Sequence, residues 1–265
     1  MRMKKRHFLG VVWGMTVFAT AVVAGAEERV LVAAASSLRP VLPEIMESFR
    51  QVHGTPVEAA FGSSGMLYRQ IQRGAPFQVF LSADPTYTAQ LVADGRTTGP
   101  GPITYARGRI VLFAPRGSPL DPEQGCAGLE RLIEQGRLRR FAIPNPDHAP
   151  YGRAAREALE HCGLWERIQP ALIVGENAAQ AARFAAQPTA QGGIVPLSLA
   201  RMPAMQGRGR YWSIPEAWHG VLRHEMVLLR GAGAAARAFF DHLRTDAARR
   251  VLEAAGFTVA GAAVP

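Results

Sequence analysis

Short apolar runs alternate with segments of helical periodicity along almost the whole chain, and this alternation constrains the fold more than any other feature. In the segment 29–35 every residue after Arg29 is apolar, which is typical of a strand buried on both faces. Apolar residues then recur at helical spacing over 41–49, and Gly54 follows as a helix stop. The same reasoning predicts strands at 56–61, 77–82, 110–114, 138–143, 171–174, 193–197 and 226–229, and helices at 66–72, 85–93, 129–135, 152–161, 177–186, 234–243 and 246–255. Residues 96–102, rich in Gly, Thr and Pro, are predicted to form a loop.

Strands that alternate with helices predict an α/β fold, in which a parallel or mixed sheet carries helices on both faces, and we expect each sheet to be mostly parallel. The number of elements in 265 residues exceeds one small sheet, so we expect two α/β lobes with a cleft between them. In open α/β sheets, ligands bind beyond the carboxyl ends of the strands.

Four of the strand-to-helix turns carry neutral residues at the point where a helix begins: 35–38, 62–65, 149–152 and 176–179. Backbone N–H groups at a helix start have no partner within the helix, and the helix dipole makes that end slightly positive. Several such ends that converge on one point would bind an oxyanion without Arg or Lys. The alternative interpretation of each turn is plain helix capping by Ser or Asn.

The N-terminal segment 1–26 has the pattern of a signal peptide. Basic residues precede an apolar run over 8–23, and a small-x-small cleavage site lies at 24–26. The rival interpretation is an uncleaved membrane anchor, for which the apolar run is short. Removal of 1–26 takes both lysines of the chain and lowers the formal net charge from +9 to +5. We therefore expect an exported chain that is not embedded in a membrane, and its scattered arginines do not favour a nucleic-acid partner.

Other chemistries find weaker support. Cys126 and Cys162 could pair in an oxidising compartment, but the sequence does not show that they are close. Neither Ser63 nor Ser64 matches the Gly-x-Ser-x-Gly pattern of a nucleophile elbow, and the chain after the signal peptide lacks the lysine of a phosphate-binding loop. His148 lacks metal-ligand spacing and is interpreted as a surface loop residue.

Six short segments, taken together and in order, carry a family resemblance: 32–38, 61–65, 74–76, 80–84, 145–152 and 255–257. Through them the chain resembles the periplasmic molybdate-binding proteins of ABC transporters, which are type II solute-binding proteins. The resemblance implies a signal peptide at 1–26, a first lobe formed by 27–106 and 221–265, and a second lobe formed by 107–220. It also implies that the lobes close on the ligand like a hinge.

The resemblance further implies which residues hold the oxyanion. The family's positions fall on Ser36, Ser64, Tyr151 and Ala178, and the adjacent Ser37, Ser63 and Asn177 are further candidates. Many members place a tyrosine where this chain has Pro196, so we expect the hydroxyl to come from Tyr151 instead.

The function implied is capture of molybdate, and also tungstate, in the periplasm for a membrane permease and its ATPase. No catalysis and no cofactor are expected, and we expect a monomer. Two alternatives stay open at this point: a binding protein for another oxyanion such as sulfate or thiosulfate, and an exported hydrolase that uses Ser64 or Ser36 as nucleophile.

Overall fold

The computed structural model describes residues 29–259, so the predicted signal peptide at 1–26 lies outside the described residues. The strands are β1 Val30–Ala35, β2 Val57–Gly62, β3 Val79–Ser82, β4 Thr97–Gly108, β5 Ile110–Pro115, β6 Phe141–Pro144, β7 Leu172–Gly175, β8 Gly192–Pro196, β9 Gly209–Ser213 and β10 Leu222–Leu229. The α-helices are α1 Leu42–His53, α2 Ser64–Gln72, α3 Pro85–Ala93, α4 Gly125–Glu134, α5 Pro150–His161, α6 Trp165–Ile168, α7 Ala178–Ala185, α8 Leu197–Ala200, α9 Pro203–Gln206, α10 Ala234–His242 and α11 Asp246–Ala254. Over 29–259, none of these helices is long and apolar enough to cross a membrane.

Two five-stranded sheets organise the molecule, in the orders β2-β1-β3-β10-β4 and β7-β6-β8-β5-β9. In the first sheet, β1 pairs in parallel with β2 and β3, whereas β10 is antiparallel to both of its neighbours. In the second sheet, β6 pairs in parallel with β7 and β8, whereas β5 is antiparallel to both of its neighbours. The predicted two-lobed α/β fold with mixed sheets is confirmed. The sheets are not mostly parallel as expected, because β10 and β5 each run antiparallel to both neighbours and make parallel and antiparallel pairings equal in number.

The chain crosses between the sheets twice. It leaves the first sheet at Gly108 and enters the second at Ile110; it returns after Ser213 and rejoins the first sheet at Leu222. We call the first sheet with α1–α3, α10 and α11 the first lobe, and the second sheet with α4–α9 the second lobe. Helices α10 and α11 thus pack on the first lobe although they come last in the chain.

The structure differs from the sequence prediction in several elements, and the short helices α6, α8 and α9 were not predicted. The predicted loop at 96–102 is wrong, because residues 97–102 belong to β4, which pairs with β10 along most of its length. Gly99 and Gly101 adopt φ values of 80° and 84°, and the pairing shifts register twice, so the strand accommodates a Gly- and Pro-rich sequence by local irregularity. The edge strand β9 was not predicted, because its burial is intermediate and its apolar pattern is weak.

The buried face of α1 follows from the apolar pattern of the sequence, whereas the covalent link is shown by the structure. Helix α1 buries Leu42, Ile45 and Phe49 on one face, as its spacing predicted, and it ends at Gly54 with φ 70°. The two cysteines form a disulfide that joins α4 to the residue after α5, with 5.7 Å between their Cα atoms. Pairing of Cys126 with Cys162 had been left open by the sequence.

Candidate functional site

The four turns predicted to bind an oxyanion meet in pairs across the cleft. The Ser36 hydroxyl accepts a hydrogen bond from the backbone amide of Ala179, at 3.3 Å, and so joins the turn after β1 to the turn after β7. The backbone amide of Gly65 donates to the carbonyl oxygen of His148, at 3.1 Å, and so joins the turn after β2 to the turn after β6. Turns that lie far apart in the sequence therefore form one site between the lobes.

The turn after β1 carries Ser36 and Ser37, both almost fully buried. It is a 3-10 turn over Ser36–Leu38 rather than the first turn of α1, which begins at Leu42. The Ser37 carbonyl oxygen accepts from the Ser198 hydroxyl of the second lobe, at 2.8 Å. The Ser37 hydroxyl lies beside the Tyr151 hydroxyl but has no partner of standard hydrogen-bond geometry among residues 29–259, which is costly for a buried polar group unless a ligand supplies one.

The turn after β2 places its two serines differently. The Ser63 hydroxyl accepts from the Met66 amide at 3.3 Å and so caps α2. For Ser63, the alternative interpretation of helix capping is therefore correct. Ser64 is fully buried, and its hydroxyl accepts from the Ala83 amide at 2.9 Å. Because a hydroxyl that accepts one bond still has a hydrogen to donate, Ser64 can donate to an anion.

Gly65 in the same turn permits the close approach of the lobes. A Cβ atom at this position would lie 2.8 Å from the His148 carbonyl oxygen and 2.6 Å from the Tyr87 hydroxyl. A side chain at Gly65 would therefore push the second lobe away.

The turn after β6 buries Tyr151, which is 2 % exposed. Its hydroxyl lies 3.0 Å from Nε2 of His224, a fully buried residue of β10 in the first lobe. Burial raises the pKa of the Tyr151 phenol, and the neighbouring Ser37 hydroxyl opposes this rise. The Tyr151 hydroxyl therefore stays protonated and lies at the floor of the cleft, where the two lobes meet.

The turn after β7 contains Asn177 and Ala178. The Asn177 side chain accepts from the Gln180 amide at 3.1 Å, which is ordinary capping of α7. Ala178 is buried and begins the helix.

Three backbone amides in these turns remain available for a ligand. In each of the three turns that begin α2, α5 and α7, one backbone amide already has an acceptor within the protein. These are the amides of Gly65, Gly152 and Ala179. The preceding amides, those of Ser64, Tyr151 and Ala178, occupy helix-start positions that have no intrahelical acceptor. Together with the hydroxyls they form a set of hydrogen-bond donors without a formal charge, as suits an oxyanion.

His148 is a site residue that the sequence interpretation missed. It was interpreted as a surface loop residue, which is wrong: its side chain is 14 % exposed, and its Nδ1 lies 2.8 Å from the Ser63 hydroxyl of the other lobe. Its Nε2 lies 3.5 Å from a carboxylate oxygen of Glu176. The partner Ser63 is 85 residues away in sequence, so only the folded chain shows the contact.

Charged groups join the lobes beside the four turns. Arg153 of α5 forms an ion pair with Asp84, which is 5 % exposed and also caps α3 by accepting from the Thr86 amide. Pro196 is buried at the end of β8, pairs with Ile110 and offers no donor, as its chemistry requires. Across residues 29–259, no cluster of three or more His, Cys, Asp or Glu side chains suits a metal ion.

Comparison with known proteins gives consistent results. The family model described as "Bacterial extracellular solute-binding protein" matches residues 30–258. The chain is 33 % identical over 231 residues to molybdate-binding proteins of Azotobacter vinelandii and Rhodobacter capsulatus, covering 86 % of this chain in both cases and 89 % and 88 % of those proteins. Its fold is similar to the solved periplasmic molybdate-binding protein of Azotobacter vinelandii, with a TM-score of 0.78 and 27 % identity, over 87 % of this chain and 99 % of that one.

Proposed function

Because the chain belongs to the bacterial extracellular solute-binding proteins, which bind a solute for transport and catalyse no reaction, we propose that it captures molybdate for uptake by an ABC transporter. Its similarity over most of its length to proteins named for molybdate binding supports this ligand. Tungstate has the same tetrahedral shape and the same charge, and we propose it as a second ligand.

The observation that carries the proposal is that three contacts between the lobes link the four donor-bearing turns: Ser36 with Ala179, Gly65 with His148, and Ser37 beside Tyr151. Molybdate and tungstate are dianions at neutral pH, so every oxygen can accept and none must donate. Phosphate carries a proton at this pH, and a site made only of donors leaves that proton unpaired, a penalty of about 1–3 kcal/mol. Sulfate is smaller than molybdate and would contact the same donors less closely.

The roles that we propose follow the contacts of each residue. Ser36, Ser37 and Ser64 donate through their hydroxyls, and Ser64, Tyr151 and Ala178 donate through their backbone amides. The side chains of Ser63 and Asn177 cap their helices and orient those amides toward the anion.

We further propose that the chain works as a monomer in the periplasm, where segment 1–26 directs it, and delivers its ligand to a permease driven by an ATPase. Two relatives that share most of its length are named as molybdate-binding proteins, another is named as a substrate-binding lipoprotein of an ABC transporter, and one solved relative is named as periplasmic. A soluble carrier of this kind closes its lobes on the ligand and opens again at the permease.

A thermal-shift and calorimetric comparison of four oxyanions tests this proposal. A ligand at a hundred times its dissociation constant stabilises the folded protein by about 2.7 kcal/mol, so molybdate and tungstate should raise the melting temperature. Sulfate and phosphate at the same concentration should leave it nearly unchanged. If sulfate shifts the melting temperature and molybdate does not, the protein binds a different oxyanion and the proposal fails.

Single variants locate the binding site. Hydrogen bonds to charged groups contribute about 1.5–3 kcal/mol, so Ser36→Ala and Ser64→Ala should each weaken molybdate binding about 10- to 150-fold. Ser213→Ala on the edge strand β9 is the matched control and should bind as the wild type does. If Ser36→Ala and Ser64→Ala also bind as tightly as the wild type, the anion lies elsewhere.

A further inference from the structure

The buried His224 connects Tyr151 of the site to β4 and β10, the two strands of the first sheet that adjoin the crossings between the lobes. His224 lies on β10 and is fully buried, and its Nε2 is 3.0 Å from the Tyr151 hydroxyl. On its other side, Nδ1 lies 3.5 Å from the Tyr105 hydroxyl of β4. The ring of Phe257 packs edge-on against the imidazole and excludes water from that side. The three polar side chains therefore form a short row: Tyr105, His224 and Tyr151.

The imidazole in this row is neutral. Burial lowers the pKa of His224 to about 3, and no charged side chain is in hydrogen-bond contact with it among the described residues. A neutral imidazole carries one hydrogen, so one ring nitrogen donates and the other accepts.

The direction of the row follows from Tyr105. This hydroxyl is buried, and among residues 29–259 its hydrogen-bond partner is Nδ1 of His224. If Nδ1 carried the hydrogen, the Tyr105 hydrogen would have no acceptor, which is unfavourable for a buried hydroxyl. Tyr105 therefore donates to Nδ1, and the hydrogen of the imidazole resides on Nε2, from where it is donated to the Tyr151 oxygen.

The Tyr151 hydroxyl, which accepts from His224, must then direct its own hydrogen away from the histidine. The Ser37 hydroxyl lies beside it, buried and with no partner of standard hydrogen-bond geometry among the described residues. Ser37 belongs to the turn after β1 that faces the proposed anion. The Tyr151 hydrogen is thus available on the side of Ser37, where we place the anion.

We propose that His224 is a positioning residue that fixes the Tyr151 hydroxyl as a hydrogen-bond donor toward the anion. The hydrogen-bond direction stands by itself, but its consequence, selectivity for molybdate over hydrogen phosphate, rests on the proposed function. A tyrosine that is free to rotate could turn its oxygen toward hydrogen phosphate and accept a hydrogen bond from it, whereas one whose oxygen accepts from His224 turns its hydrogen toward the anion. His224 would therefore favour fully deprotonated dianions without touching them.

The tautomer of His224 can be read directly in the wild-type protein. Long-range proton–nitrogen correlation spectra of the ¹⁵N-labelled mature chain at pH 7 distinguish imidazoles that carry hydrogen on Nε2, on Nδ1 or on both. The resonance that disappears in His224→Gln belongs to His224. We expect hydrogen on Nε2 alone; hydrogen on Nδ1 or on both nitrogens would overturn the proposal.

Two variants test the consequence for binding. His224→Leu removes the donor to Tyr151, and His224→Gln retains an amide donor, so the pair separates the hydrogen bond from simple packing. We expect His224→Leu to lose about tenfold or more in molybdate affinity and to lower the preference for molybdate over phosphate, whereas His224→Gln stays within about threefold of the wild type. Melting curves establish that both variants are folded before their affinities are compared.

The outcomes separate this proposal from the proposed function. If the wild type binds no molybdate, the proposed function fails, and the tautomer still shows whether the Tyr151 hydrogen is directed into the cleft. If the wild type binds molybdate and His224→Leu binds it with unchanged affinity and selectivity, the positioning role is wrong and the proposed function stands.

Discussion

Nδ1 of His148 lies 2.8 Å from the hydroxyl oxygen of Ser63, and these two residues belong to opposite lobes. The backbone carbonyl of the same histidine accepts from the Gly65 amide at 3.1 Å. One residue of the second lobe thus makes two hydrogen bonds to the turn after β2. Because both bonds join the two lobes, separation of the lobes would break them, and we therefore expect them to stabilise the closed form relative to an open one.

Loss of the His148 side chain should weaken closure. His148→Ala removes one of the two bonds, and a net contribution of about 0.5–1.5 kcal/mol corresponds to a two- to twelvefold loss of molybdate affinity. The loss should appear in the dissociation rate, because the bond forms after the ligand has entered. Stopped-flow mixing measures both rates. His53→Ala, at the exposed end of α1, is the matched control, and an effect confined to the association rate would contradict this role for His148.

Gly108 should be required for the position of Tyr151. A Cβ atom at Gly108 would collide with the Tyr151 hydroxyl and lie 3.3 Å from Nε2 of His224. Gly108→Ala should therefore displace the tyrosine and weaken molybdate binding about tenfold, as expected for loss of one bond to a charged group. Gly207→Ala, where a Cβ atom meets nothing within 4 Å, is the control for calorimetry. Equal affinities of the two variants would show that the position of the Tyr151 hydroxyl does not matter for binding.

The disulfide should contribute to stability and leave binding unchanged. It closes a loop of 36 residues, so the double variant Cys126→Ala with Cys162→Ala should lose about 2–4 kcal/mol of unfolding free energy. Urea unfolding measures this loss. Molybdate affinity at 25 °C should be unchanged, because the cysteines are not among the four turns of the site. A loss of affinity in a variant that is still folded would show that the disulfide positions the start of α5.

Burial of neutral His224 should make stability depend on pH in one direction. The unfolded chain takes up a proton near the ordinary histidine pKa of 6.5, whereas burial lowers the pKa of folded His224 to about 3. Above pH 6.5 this residue has no effect on stability; as the pH falls from 6.5 toward 3, the unfolded state binds the proton and the folded state does not. Stability should therefore fall by up to about 1.4 kcal/mol per pH unit.

Asp and Glu side chains also make the unfolding free energy depend on pH, and comparison with a variant that lacks His224 separates the effect of this histidine from theirs. Urea unfolding of the wild type and of His224→Gln at pH 7.5, 6 and 5 gives the difference in unfolding free energy. As the pH falls, the unfolding free energy of the wild type should decrease more than that of His224→Gln. A difference that is independent of pH would mean that His224 can be protonated in the folded protein.

The sequence alone predicted the elements whose pattern is local. The apolar run before Ser36 and the glycine after α1 lie where the structure has β1 and the end of that helix, because burial on both strand faces and a left-handed helix stop leave direct marks in the sequence. The strand at Thr97–Gly108 was missed, because its glycines and prolines are typical of loops and its pairing partner, β10, lies more than 100 residues later.

The serines and helix starts that the sequence singled out are brought together by the fold, but their contacts were decided by tertiary structure. The sequence identified Ser36, Ser64 and Tyr151 as candidate contacts to the anion, because strand-to-helix turns have a recognisable composition and the family resemblance pointed to these positions. It could not show that His148 reaches Ser63 or that His224 reaches Tyr151, because these pairs are 85 and 73 residues apart. Hydrogen bonds between lobes depend on how the two sheets face each other, and no local pattern of residues encodes that geometry.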